Sequence, residues 1–114
     1  PGYHSTGRSA AQYTALYGNR VIRALTRLSK PFFDDPPSAF GDHPILTPRG
    51  ALFVVTAAQR AKMREFAEFA AAEAVPVREL TQDETLALVP VLRRDGFECG
   101  LFESESTDID VLRA

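Results

Sequence analysis

The sequence predicts an α+β chain in which helices alternate with short, separated strands. Three observations carry that expectation. Apolar residues recur at helical spacing from Val21 to Phe32. Two capping boxes, Thr56 with Gln59 and Thr81 with Glu84, each open a further helix. Two runs, 51–55 and 97–102, hold the β-branched and aromatic residues that suit strands.

Taken in order, residues 9–17 combine small side chains with good helix formers and predict a first helix. Gly18 and Asn19 interrupt it, and Asn19 is placed to cap a second helix. That helix carries Val21, Ile22, Leu25, Leu28 and Phe32, with Arg20, Arg23 and Arg27 on other faces. Pro31 is expected to kink or end it, because its ring crowds the preceding turn and it has no N–H. Residues 34–37 form a turn cluster, and 51–55 a buried strand. The helix after Thr56 aligns Met63, Phe66, Phe69, Ala70 and Ala74, and ends at Val75-Pro76-Val77. Residues 77–80 form a short strand, the helix after Thr81 stops near Pro90, and Asp108 or Asp110 begins a last helix. So few strands leave sheet edges open, which implies that they belong to a larger sheet.

Composition sets outer bounds. The chain has 114 residues, 45% of them hydrophobic and 25% charged, which is globular rather than disordered composition. A net charge of −2 offers no electrostatic case for nucleic acid or an anionic lipid surface. Cys99 is the only cysteine, so no internal disulfide and no multi-cysteine zinc site can form. No apolar run approaches the roughly 20 residues that span a bilayer. His4 and His43 lack metal-ligand spacing, and the acids from Glu103 to Asp110 lack the pattern of a calcium loop. The absence of an initiator Met before Pro1 reads as a segment of a longer protein or a gene missing its start.

The chemistry concentrates in His4-Ser5-Thr6-Gly7-Arg8-Ser9-Ala10-Ala11-Gln12-Tyr13-Thr14. Small and hydroxyl residues, one glycine and one arginine suit a loop that lays backbone N–H groups against an anionic cofactor at a helix start. Gly7 permits close approach, and Arg8 can pair with phosphate or polar ring atoms.

The stretch from Pro1 to Ala11 resembles the FAD-dependent D-amino-acid oxidoreductases, the DAO superfamily, most nearly the bacterial D-arginine dehydrogenases. The likeness continues through Tyr17, Phe32-Phe33-Asp34, His43-Pro44, Pro48-Arg49, residues 89–95 and Asp108-Ile109-Asp110. It implies a segment of a two-domain flavoprotein fold, with a GxGxxG strand-turn-helix ahead of Pro1. Residues 1–35 would belong to the FAD-binding domain and 36–114 to the substrate-binding domain. Ser5, Thr6, Gly7, Arg8, Ser9, Ala10, Ala11 and Gln12 would line FAD. Tyr17 matches a lid tyrosine. Gln12 stands where the D-arginine enzymes have an active-site histidine, and Ala51 where they have the glutamate that holds the guanidinium. Ala51 cannot bond a cation, which implies a substrate less basic than D-arginine unless Glu98 or another acid takes over the role.

The implied activity is oxidation of a small-molecule D-amino acid to an imino acid and then a 2-oxo acid, by hydride transfer to FAD. Oxygen and a quinone are both open as electron acceptor. The implied location is cytoplasmic, with peripheral attachment to the inner membrane as a variant. A non-catalytic truncated remnant and a small α+β interaction module are the competing readings. Because the phosphate-binding strands are not in this stretch, the 114 residues alone are expected to hold no stoichiometric flavin and to melt without a sharp transition. An absorbance spectrum and a thermal scan check both; a near-stoichiometric flavin band is the contrary result.

Overall fold

A computed structural model describes residues 9–111. The elements are β1 (Ala11–Tyr13), α1 (Arg20–Asp34), β2 (Leu46–Pro48), β3 (Ala51–Val55), α2 (Arg60–Ala72), β4 (Val77–Leu80), α3 (Gln82–Leu88), β5 (Cys99–Glu103) and β6 (Thr107–Ile109). Single 3₁₀ turns occur at Ser38–Phe40, Ala57–Gln59 and Arg94–Gly96. The chain forms two compact units, one of Pro1–Arg49 with Glu105–Ala114, the other of Gly50–Ser104. The mixture of helices and small antiparallel sheets is the α+β class that the sequence predicts.

The first unit holds a three-stranded antiparallel sheet in the order β1-β6-β2. Asp108 lies opposite Gln12 on one side and Thr47 on the other. Two readings of the sequence are corrected here. Residues 11–13 form a strand rather than part of a first helix, and Thr107–Ile109 forms a strand, so Asp108 does not begin a last helix; a helix starting at Asp110 lies outside the described residues. Both segments give their backbone groups to each other, and β-branched Thr107 and Ile109 suit that pleat. Pro48 sits on edge strand β2, where a missing N–H is tolerated. Arg49 reinforces the sheet through an exposed 2.7 Å ion pair with Asp108, worth at most about 1 kcal/mol.

Helix α1 begins where expected: Asn19 Oδ1 accepts from the N–H groups of Val21 (3.0 Å) and Ile22 (3.1 Å). It does not end at Pro31. It runs three residues further, to Asp34, because Pro31 removes one N–H donor while its carbonyl still accepts from Asp35 at 3.1 Å. An apolar stripe of this kind ordinarily faces a core. Here no α1 residue is fully buried. The half-buried positions are Arg23, Thr26, Lys30 and Phe33, while Val21, Leu25, Leu28 and Phe32 are exposed. The polar edge of α1 therefore meets its own unit. The Tyr13 hydroxyl donates to the Thr26 carbonyl at 3.3 Å, and Lys30 Nζ lies 6.0 Å from the Tyr13 ring centre. Phe33 meets the same ring edge-on at 6.3 Å.

The second unit packs an antiparallel sheet, β3-β5-β4, between two helices. Val55, Cys99 and Leu101 pack against Met63 of α2, joined by Phe66, Ala67 and Val77. On the other face Gly100 admits α3: a Cβ there would lie 2.6 Å from Thr85 Oγ1. Both predicted capping boxes form. The Thr56 N–H donates to Gln59 Oε1 at 3.0 Å, and the Thr81 N–H donates to Glu84 Oε2 at 2.8 Å. That second bond, with the Thr81 hydroxyl, holds the Glu84 carboxyl below the usual range. Cys99 is buried beside Met63, and burial pushes its thiol up, so it is an inert core residue.

Among the described residues Gly18, Gly41, Gly50 and Ala74 have left-handed backbone, and two of these positions bear on stability. Gly50 (φ +78°) enters β3, and a Cβ would lie 2.6 Å from Phe102 Cζ. Ala74 (φ +56°) ends α2 without glycine's freedom. Gly50→Ala is expected to destabilise the chain by more than about 1 kcal/mol and Ala74→Gly to stabilise it by about 0.5–1 kcal/mol. Denaturant midpoints check both signs.

Candidate functional site

The first unit carries a cleft of about 510 Å³ between its sheet and α1. That volume lies in the range of small-molecule sites. The sheet supplies Gln12, Tyr13 and Ile109; the connection after β1 supplies Thr14 and Tyr17. Helix α1 supplies Ile22, Leu25, Thr26, Ser29 and Phe33. Positions 22, 26, 29 and 33 lie along one edge of the helix at its natural repeat. Tyr13 forms the floor: it is buried, and burial pushes its hydroxyl above the ordinary tyrosine range. Tyr17 stands at the rim, 73% exposed, where its ring can cover a bound molecule.

The cleft thus brings together Gln12 and Tyr17, two residues singled out from the sequence. Ser9 and Ala10 are exposed and Ala11 is half-buried; they precede or begin β1 and do not line the cleft. Because this segment enters a strand, the expected helix dipole behind Ser9 and Ala10 is not present there. Ser5, Thr6, Gly7, Arg8 and His4 lie outside the described residues. Sequence reasoning missed Thr14, Ile22, Leu25, Thr26 and Ser29 as site residues. The spacing of 22, 26, 29 and 33 was the available signal, but it reads equally as a packing edge.

Ala51 belongs to the second unit. It is the half-buried first residue of β3, directly opposite buried Glu103. Its methyl group supplies no charge. Glu98, considered as a replacement acid, is engaged by Arg60 at 2.9 Å. The second unit also has a cleft of about 410 Å³ between β3 and α2, which includes Phe53, Val54, Lys62 and Phe66 and none of the singled-out residues. Among the described residues no group of three His, Cys, Asp or Glu side chains could hold a metal ion. No helix among them is long and apolar enough to cross a membrane.

Over residues 1–114 the sequence matches the family model described as FAD dependent oxidoreductase (DAO). The fold is similar to glycine oxidase from Geobacillus kaustophilus, with a TM-score of 0.70 and 16% identity over 98% of this chain and 32% of that one. It is also similar to L-proline dehydrogenase from P. horikoshii, with a TM-score of 0.67 and 15% identity over 88% of this chain and 26% of that one. The chain therefore spans about a third or less of the length of either protein.

Tyr13 holds the cleft floor to α1. Tyr13→Phe is expected to cost about 0.5–1 kcal/mol through loss of the bond to Thr26. The folded chain keeps the Tyr13 proton to higher pH than the unfolded chain does. The unfolded state loses it first, so stability is full below about pH 10 and declines as pH rises beyond it. Unfolding measured from pH 8 to 11 should show a shallower alkaline decline in Tyr13→Phe.

Proposed function

The chain belongs to the FAD-dependent oxidoreductase (DAO) family, whose cofactor is FAD, and on that premise we propose that it is a segment of an enzyme oxidising D-amino acids, related to bacterial D-arginine dehydrogenases. The single observation that carries this reading is the shared cleft of Gln12 and Tyr17, the two positions that the resemblance assigns to the flavin and substrate sides of one site. FAD would supply the hydride acceptor: as the Cα–H bond breaks, the lone pair of the neutral amine would form the C=N bond, and water would then hydrolyse the iminium to a 2-oxo acid with release of ammonium.

In this reading 1–35 serve the FAD-binding domain and 36–114 the substrate-binding domain. The compact units cut across that division, since β6 returns to pair with β1. Ser5 to Gln12 line the flavin, and of these Ser9 and Ala10 are exposed residues. Tyr17 covers the substrate and keeps water from the reacting carbon. Ala51 leaves the guanidinium position without a counter-charge. Location in the cytoplasm belongs to the same proposal.

One of the two similar folds is named for an L-amino acid and the other for glycine, so the hand of the substrate is the property to test. In the complete FAD-containing polypeptide, reduction of an electron-accepting dye should follow D-amino acids at least tenfold faster than their L forms. Tyr17→Ala should raise KM about tenfold with a smaller change in kcat. Turnover confined to L-amino acids defeats the proposal.

A further inference from the structure

The second unit's cleft, of about 410 Å³ between β3 and α2, has two kinds of wall. One is apolar: Phe53 and Phe66 stand with ring centres 5.3 Å apart, beside the buried side chains of Met63 and Leu101. The other is Gln59 and Lys62, at the start of α2. Gln59 Oε1 accepts from the N–H and from the hydroxyl of Thr56, each at 3.0 Å, so the amide N–H groups are what Gln59 has left to offer. The Lys62 ammonium donates and cannot accept. We infer that this cleft binds small amphipathic carboxylates, with the hydrocarbon body against Phe53 and Phe66 and the carboxylate at Lys62 and Gln59. The inference uses no flavin and no residue of the first unit.

Three features support it. Phe53 is 43% exposed and Phe66 half-buried, so the rings have apolar surface for a ligand to cover. Lys62 occupies the first turn of α2, a turn without acidic residues, where a cation opposes the helix dipole and weakens the helix. Arg60, in the same turn, is engaged with Glu98 at 2.9 Å, whereas among the described residues Lys62 has no ion pair. A carboxylate in the cleft supplies that counter-charge. An amino acid would bring its own ammonium against Lys62, a like-charge contact that a simple carboxylic or 2-oxo acid avoids.

The test labels the methionine methyl groups of the complete flavin-containing polypeptide and follows Met63 by NMR, its resonance assigned by its loss in Met63→Leu. Met63 lines this cleft and not that of the first unit, so the signal reports on this cleft. 3-Phenylpropanoate should shift the resonance saturably at millimolar concentration. Its uncharged amide, and L-phenylalanine, should each bind about fivefold more weakly. Lys62→Met should weaken the acid about fivefold and leave the amide unchanged. Arg64→Met, the loss of an exposed charge outside the cleft on the same helix, should change neither. Raised ionic strength should weaken the acid and not the amide. An acid that binds no better than its amide, or equally well to Lys62→Met and wild type, overturns the inference. So does a Met63 resonance that no probe shifts, the result expected if the rest of the polypeptide fills the cleft. Amino acid turnover is measured apart from this signal, so the proposed function stands or falls separately.

Discussion

The cleft exists because three residues near the end of the chain lie between two strands near its start. Thr107–Ile109 pairs with β1 on one side and β2 on the other, closing a separation of about a hundred residues. Without it β1 has no partner, and three isolated residues do not form a strand. Ile109 then has no fixed place in the wall, and Gln12 no fixed direction. Long-range pairing of this kind costs loop-closure entropy before it returns any contact. The first unit therefore depends on a pairing between its two ends, whereas the widest pairing in the second unit, Ala51 with Glu103, spans about half that distance.

That difference explains which parts of the fold were legible. The second unit announced itself through local chemistry. Thr56 with Gln59 and Thr81 with Glu84 fixed two helix starts, residues 77–80 formed the expected strand, and Met63 and Ala70 are buried as the stripe implied. Asn19 was equally readable. Residues 11–13 and Asp108 were misread because the first segment is helix-compatible in isolation, Asp108 suits a helix start, and both are extended only in the presence of each other. Pro31 does not end α1: a proline near the last turn of a helix forfeits one bond, and α1 accepts that loss.

The site was legible to a lesser degree. The run from Ser5 to Gln12 was conspicuous for its small residues and glycine, and Tyr17 for its match to a lid. The apolar residues of the cleft wall were visible as a helical repeat, but a repeat does not reveal which way its helix turns. Only the packing of Tyr13 against Thr26 and Lys30 shows that α1 sets its polar edge inward, which leaves Ile22 and Leu25 exposed.

The same inverted helix has a cost in solution. Val21, Leu25, Leu28 and Phe32 form a continuous oily ridge that water wets poorly. Apolar contact, rather than charge, is the interaction that this face of the helix favours.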